Sequence, residues 1–292
     1  MWLADLAHMV TEQKFETVDG YSLLDVDGAS TVVGPIRSAK KVLQRTTTDL
    51  IRHATYACAV HQLEAAGGAA ALNFDRASDG DAPFASFATE LASWAQASNF
   101  VGSAAMGLSA EEAGPALHEG VAQSVETTVA SAVGCLPSNA KTFAVITNGD
   151  EPALRAALGD RTLDSYDELS TGLASGADVA FVRGKTGCLQ HEVLKDTNVK
   201  TIIGLQPLTT TARGLAVAGR AGAVIIPDFI SAAGPILASL GQSPEDITAS
   251  TKAAIDRLEG AGIDTFVRAC EHAEDHLRSW TEDLPFGRPL AP

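Results

Sequence analysis

The chain has 292 residues, of which 46% are hydrophobic and 20% charged, and this length predicts two domains. The formal net charge of −15 at pH 7 argues against a nucleic-acid partner, because neutralising phosphates requires clustered Lys and Arg. No apolar run reaches the roughly 18–20 residues of a membrane span and the first residues lack a signal-peptide pattern, so we expect a cytoplasmic protein without a membrane partner.

The first half of the chain is rich in alanine, and its pattern predicts mainly helices. Residues 38–61 carry apolar or small side chains at helical spacing, which predicts one long buried helix. Gly67 and Gly68 are expected to end this helical region, and AAALNF after them predicts a short strand. Further helices are predicted over residues 91–98 and 111–130, and the pattern changes near residue 138.

The second half alternates apolar strands with helices. Strands are predicted at TFAVIT (142–147), DVAFV (178–182), KTIIGL (200–205) and AVIIPDF (223–229). This alternation is typical of βαβ units and a parallel sheet. Amphipathic helices are predicted over residues 246–259 and 266–283. The fold class is therefore α/β with two domains: residues 1–138, and a reduced Rossmann-like domain at 139–259, with 260–292 returning to the first.

The cysteines offer no metal site. Cys58, Cys135, Cys188 and Cys270 are far apart and form no CxxC pair, so we expect reduced thiols and no zinc.

Three segments resemble motifs of the glutamate/leucine/phenylalanine/valine dehydrogenase family. VVGPIRS (32–38) resembles its glycine-rich GGxR segment, and TYACAVHQLEAAGGAAAL (55–72) aligns without gaps on its TYKxAxxxLxxGGGKAxI pattern. IPDFISAAGPI (226–236) resembles its APDxxxNAGGV. The resemblance implies an N-terminal helical–sheet oligomerisation domain, a Rossmann domain for NAD(P) and a homodimer paired through the first domain.

The chain departs from this family at its catalytic positions. The two active-site lysines of the family fall on Ala57 and Ala69, and its catalytic aspartate falls on Ala105. An alanine side chain neither donates, accepts nor carries charge, so these three roles are vacant.

The expected dinucleotide motif is also altered. The turn after TFAVIT keeps Gly149 alone of the G-x-G-x-x-G pattern, and Asp150 and Glu151 place negative charge where a pyrophosphate is expected. The next strand, which ends in the ribose-binding acid, is expected to be missing. We therefore expect no NAD(P) and no other cofactor.

Ionisable groups nevertheless remain around the vacant lysine position. His53, Ala57 and His61 are four residues apart and share one helix face, and Glu64 follows in the next turn. His53, His61 and Glu64 are the catalytic candidates. They are poor metal ligands as a set, because imidazoles eight residues apart are about 12 Å apart along the axis.

Two arginines are candidates for holding a substrate carboxylate in place of the lysines. Arg37 matches the arginine of the glycine-rich segment, and Arg52 lies on the helix of His53. Tyr56 either lines a pocket or packs in the core. With Ala57 and Ala69, these residues complete the predicted substrate-binding set.

Three functions follow from these residues. The preferred one is a cofactor-independent condensation of an amino acid with an aldehyde or 2-oxo acid, such as a Pictet–Spengler cyclisation. Arg37, His53 and Glu64 resemble the Arg/His/Glu set of bacterial β-carboline-forming enzymes, which implies carboxylate binding by Arg37, proton transfer by Glu64 and assistance by His53 or His61. The alternatives are an NAD-dependent amino acid dehydrogenase and a non-catalytic dimeric partner protein.

Overall fold

The computed structural model describes residues 10–79, 82–117, 125–146, 149–258, 260–282 and 284–292. The chain divides into two compact units. The first comprises Met1–Gln123, Pro235–Gly241 and Ala273–Arg288. The second comprises Ser124–Gly234, Gln242–His272 and Pro289–Pro292. None of the helices in these described ranges has both the length and the apolar character needed to cross a bilayer.

The first unit is built on a mixed five-stranded sheet in the order β1-β2-β4-β3-β5. Strand β2 is antiparallel to its neighbours β1 and β4, whereas β3 is parallel to both β4 and β5. The carboxyl ends of β3, β4 and β5 therefore meet at one edge of the sheet. The strands are β1 Thr11–Lys14, β2 Gly20–Leu24, β3 Thr31–Ala39, β4 Ala65–Asn73 and β5 Phe100–Met106.

Helices cover both faces of this sheet, because alternate side chains of β4 point to opposite faces. Ala69 and Ala71 pack with Ile51 of the first helix, whereas Ala70 and Leu72 belong to an aromatic-rich cluster on the other face. The helices of this part of the chain are α1 Gln44–Val60, α2 Arg76–Asp79, α3 Ala82–Ser98 and α4 Ala110–Ala113.

The starts of helix α1 and of strand β4 both differ from the sequence prediction. Helix α1 begins at Gln44 rather than residue 38, because residues 31–39 form β3. Gly67 and Gly68 lie inside β4 and do not end the helix. A Cβ added to Gly67 would lie 1.7 Å from the carbonyl oxygen of Ile51. The glycine therefore allows strand and helix backbones to approach closely.

The second unit contains a parallel five-stranded sheet in the order β10-β9-β8-β6-β7, which confirms the predicted βαβ arrangement. Its strands are β6 Thr142–Ile146, β7 Thr162–Ser165, β8 Val179–Val182, β9 Thr201–Gly204 and β10 Val224–Ile226. The expectation that the strand after β6 is missing was wrong. Strand β7 escaped prediction because it is a sheet edge where Leu163 alone is buried.

The remaining helices flank this sheet or follow it in the chain. Helix α5 packs against α12, which places residues 125–134 with the second unit. These helices are α5 Val125–Gly134, α6 Glu151–Leu158, α7 Leu169–Leu173, α8 His191–Leu194, α9 Ala212–Arg220, α10 Asp228–Ser231, α11 Gly234–Ser239, α12 Pro244–Asp256 and α13 Thr265–Leu277.

Candidate functional site

Arg37 lies near the carboxyl end of β3, beside the start of α1. Its Nη1 donates hydrogen bonds to Oγ1 of Thr46 at 3.1 Å and to Oγ1 of Thr47 at 2.7 Å. Both threonine hydroxyls in turn donate to the carbonyl oxygen of Leu43, at 2.9 and 3.1 Å. The guanidinium is thus attached to the first turn of α1 through one of its three nitrogens.

The rest of the Arg37 guanidinium is unused in the part of the chain that the structure describes. Neither Nε nor Nη2 has a hydrogen-bond partner there, and no carboxylate lies within 4.0 Å. Partial burial lowers the pKa of Arg37, and the nearby Tyr21 hydroxyl opposes that shift. A half-buried guanidinium without a carboxylate partner is a favourable site for an anion.

The sheet places an apolar residue in register with Arg37. Met106 of β5 is in parallel register with Arg37, so both side chains extend from the same face of the sheet. Met106 is 42% exposed. A guanidinium on the same sheet face as an exposed thioether suits a ligand that carries a carboxylate on an apolar body.

Arg52 is committed to an internal network. Its Nη2 donates to Oδ1 of Asp25 at 2.8 Å, and its Nη1 donates to the carbonyl of Phe286. The Asp25 side chain is fully buried and also accepts from Thr55 Oγ1 at 2.7 Å. Burial raises the pKa of Asp25, while the charge and hydrogen bond of Arg52 lower it. Arg52 therefore binds groups of the protein itself, and these contacts do not support its place in the predicted substrate-binding set.

Tyr56 packs in the interior. It is 1% exposed, and its hydroxyl donates to Oε1 of Glu274 at 3.1 Å. Glu274 also pairs with Arg288 at 2.9 Å. Burial alone raises the pKa of Glu274, but the Arg288 hydrogen bond and charge bring it below its usual value. Tyr56 thus joins α1 to the segment that contains Glu274 and Arg288.

His53 lies on the same face of α1 as Thr46, seven residues further along. Two helical turns separate them, which is about 10 Å along the axis. His53 is 1% exposed, and Ala57, one turn beyond it, is fully buried. His61 follows the last residue of α1, with its Nδ1 2.7 Å from the Ala57 carbonyl oxygen. The structure therefore brings His53, rather than His61, towards the Arg37 end of the helix.

Glu64 does not join this group, which corrects the predicted cluster. It lies at an exposed bend directly before β4, and its carbonyl oxygen accepts from Ser30 Oγ at 2.8 Å. Arg37 pairs with Ala71, seven residues further along β4, which corresponds to about 23 Å. Because β4 begins at Ala65, Glu64 is at the amino end of the strand, opposite to Arg37.

The three alanines that replace catalytic residues of the resembling family do not share one surface. Ala69 is fully buried on the α1 face of β4. Ala105 packs with the cluster on the opposite face of the sheet. Ala57 is buried in α1, so these positions contribute shape and no charge to the first unit.

The second unit allows a test of dinucleotide binding at its topological switch point, between β6 and β8. Residues 147 and 148 of the predicted motif lie outside the described residues. Asp150 precedes α6, is 2% exposed, and accepts from Nε and Nη2 of Arg183, the latter at 3.0 Å. Pro152 removes one backbone N–H from the first turn, and Glu151 adds a carboxylate. These residues do not fit a pyrophosphate.

The described residues contain no group of three or more His, Cys, Asp or Glu side chains arranged for a metal ion. Within the same residues, Cys58, Cys135 and Cys270 are buried free thiols, and Cys188 is a partly buried one.

The sequence did not reveal Thr46, Thr47, Met106 or Asp25 as parts of these networks. The run Thr46–Thr48 at the start of a helix was a visible signal, because threonines there accept hydrogen bonds readily. That these threonines bind Arg37 depends on how the chain turns between β3 and α1, which the sequence pattern does not indicate.

No protein-family model and no curated protein matches the chain. Its structure is similar to that of L-tryptophan dehydrogenase from Nostoc punctiforme, at 13% identity over 97% of this chain and 100% of that one, with a TM-score of 0.74. The Leu-bound hetero-hexameric glutamate dehydrogenase from Thermus thermophilus matches at 15% identity over 94% and 89%, with a TM-score of 0.70. Glutamate dehydrogenase from Peptoniphilus asaccharolyticus matches at 14% identity over 93% and 91%, with a TM-score of 0.66. The chain therefore has the two-domain α/β fold, with its Rossmann-like parallel sheet, of these amino acid dehydrogenases.

Proposed function

We propose that this chain binds an α-amino acid through Arg37 and condenses its amine with a carbonyl compound, without a nucleotide cofactor. The observation that carries the proposal is the unused Nε–Nη2 edge of a half-buried guanidinium. This edge matches the two oxygens of a carboxylate in a bidentate pair, which an ammonium group at the same place does not do.

The substrate is an amino acid with an apolar or aromatic side chain. Met106 supports this choice, because it extends an exposed apolar surface beside Arg37. The tryptophan dehydrogenase named above gives independent support as a protein of the same fold that is named for an aromatic amino acid. A substrate with an acidic side chain would need a second cation for that carboxylate, and Met106 does not provide one.

The reaction begins with attack of the amine on the carbonyl carbon of an aldehyde or 2-oxo acid, and water leaves as the iminium forms. An electron-rich ring then attacks the iminium carbon, and a base removes the ring proton to complete a Pictet–Spengler cyclisation. His53 is the proposed base, because it lies about 10 Å along α1 from the contact of Arg37 with Thr46. His53 is 1% exposed, and a base at such a position transfers a proton away from bulk water.

Two other functions have weaker support. A non-catalytic dimeric partner protein is supported by the absence of charge at the buried Ala57 and Ala69, where the resembling family has its lysines. An NAD-dependent dehydrogenase has the support of the fold, but the Asp150–Arg183 pair opposes dinucleotide binding at the switch point.

Isothermal titration with L-tryptophan and with NADH tests the binding step. We expect L-tryptophan to bind, Arg37→Gln to weaken it by at least about tenfold, and NADH to produce no heat. Arg45→Gln is the matched control, because Arg45 is an exposed arginine in the first turn of α1. Equal affinities in Arg37→Gln and the unchanged protein would refute carboxylate binding by Arg37.

Mass spectrometry after incubation with L-tryptophan and an aldehyde tests the chemical step. The expected product has the summed mass of both reactants less one water. His53→Ala should abolish it while L-tryptophan still binds. Binding without any product in the unchanged protein would favour the partner protein, and NADH-dependent turnover would favour the dehydrogenase.

A further inference from the structure

The first turn of α1 contains two threonines that hold Arg37 in one orientation. We infer that Thr46 and Thr47 are positioning residues that aim the Nε–Nη2 edge of Arg37 at the substrate carboxylate and so make the site selective for a carboxylate. The inference rests on the proposed function, because it concerns the same guanidinium.

The direction of the hydrogen bonds supports this role. Each threonine hydroxyl donates its single proton to the Leu43 carbonyl oxygen, which leaves its lone pairs to accept from Arg37. Both hydroxyls accept from the same nitrogen, Nη1. Because the guanidinium is planar, fixing Nη1 between two acceptors also fixes the directions of its Nε and Nη2 N–H groups.

The threonine pair is itself held in place. Thr47 is fully buried, and its Oγ1 lies 3.4 Å from the Tyr21 hydroxyl. That hydroxyl also contacts the Val42 carbonyl oxygen at 3.2 Å. Rigid support lowers the ordering cost of ligand binding, as expected for a preorganised site.

Selectivity for a carboxylate over an amide distinguishes a guanidinium held in one orientation from a mobile one that acts through its charge alone. A mobile guanidinium attracts any anion through its charge, and it also hydrogen-bonds a neutral amide oxygen. A guanidinium with its Nε–Nη2 edge fixed requires two coplanar acceptors, which a carboxylate has and a primary amide lacks. The measurable quantity is therefore the ratio of the Kd for L-tryptophanamide to the Kd for L-tryptophan.

The experiment measures both Kd values and the thermal midpoint Tm in matched variants. We expect the unchanged protein to prefer L-tryptophan by at least about tenfold. Thr46→Val with Thr47→Val, which keeps the side-chain shape but loses both acceptors, should reduce that preference to about twofold. The matched pair Thr46→Ser with Thr47→Ser keeps both hydroxyls and should restore the preference, whatever its effect on Tm.

Thr46→Val alone provides a second variant, because Thr46 is partly exposed and its substitution leaves the buried Thr47 in place. It should reduce the ratio by about threefold with an unchanged Tm. If the double valine variant, or Thr46→Val alone, has the same ratio of Kd values as the unchanged protein, the positioning role is overturned while the proposed function stays intact. An unchanged protein without preference would likewise overturn the positioning role, whereas an Arg37→Gln variant that keeps the affinity for L-tryptophan would overturn the proposed function.

Discussion

Replacing Arg52 by methionine tests whether this buried arginine serves the fold rather than a ligand. Methionine keeps the length and apolar stem of the side chain but removes the partner of Asp25, whose side chain is fully buried. It also removes the donor to the Phe286 carbonyl. Thr55 then remains as the hydrogen-bond donor to an otherwise unpaired buried carboxylate.

Breaking one side of a buried ion pair costs about 3–5 kcal/mol, because the remaining charge has lost its compensation. We expect Arg52→Met to lower the free energy of unfolding of the first unit by that amount at pH 7. The double variant with Asp25→Asn removes the charge as well and should recover part of the loss.

The loss of unfolding free energy in Arg52→Met should also depend on pH. Burial raises the pKa of Asp25, and Arg52→Met removes the largest opposing influence, so the folded-state pKa moves further above the unfolded value of about 3.9. A raised pKa gives stability that is complete below the unfolded pKa and is lost as the pH rises through the folded one. The deficit of Arg52→Met should therefore be smaller near pH 4 than at pH 7.

Urea titrations followed by tryptophan fluorescence measure these free energies, and Arg45→Met serves as a surface control on the same helix. Titration with L-tryptophan on the folded variant completes the comparison. A deficit of less than about 1 kcal/mol at pH 7, with loss of L-tryptophan binding, would contradict the structural role and return Arg52 to the ligand site.

Three further substitutions test the scaffold. Gly67→Ala should cost about 1–3 kcal/mol in urea titrations, because its Cβ would meet the Ile51 carbonyl oxygen at 1.7 Å; an unchanged midpoint would contradict the close approach. The hydrogen bond from Lys200, and after it the backbone N–H donors, hold the pKa of Asp178 well below its usual range. The ionised Asp178 side chain therefore stabilises the fold above the unfolded pKa of about 3.9, and this stabilisation is lost as the pH falls from there towards the folded-state pKa. Asp178→Asn should accordingly lower Tm at pH 7, with the difference narrowing in acid, and a pH-independent difference would refute this origin. Arg183→Met removes the charged partner of the buried Asp150 carboxylate and should cost about 2–4 kcal/mol, and a variant as stable as the unchanged protein would contradict this role.

The sequence predicted most strands of the second unit because their signal is local. Strands β6, β8 and β9 are short runs of buried apolar residues, as parallel strands covered on both faces must be. Strand β3 was missed because Gly34 and Pro35 interrupt its pattern. The structure accommodates them at a shift of register between β3 and β5, where a strand tolerates a proline.

The candidate site was less predictable, because its contacts depend on where strands begin. Arg37 and His53 could be selected by residue type and by helix spacing. Glu64 was grouped with them because the sequence suggested that the strand begins after Gly68, whereas β4 begins at Ala65 and carries this acid to the opposite end of the sheet. Nothing in the local pattern indicates that Arg52 has a buried partner 27 residues earlier in the chain.

The most direct test of the account is a crystal structure of the protein grown with L-tryptophan and NADH together. We expect the carboxylate of L-tryptophan within hydrogen-bond distance of Nε and Nη2 of Arg37, and no NADH at the carboxyl ends of β6 and β8. NADH at that switch point, with the Asp150–Arg183 pair opened, or L-tryptophan bound away from Arg37, would contradict it.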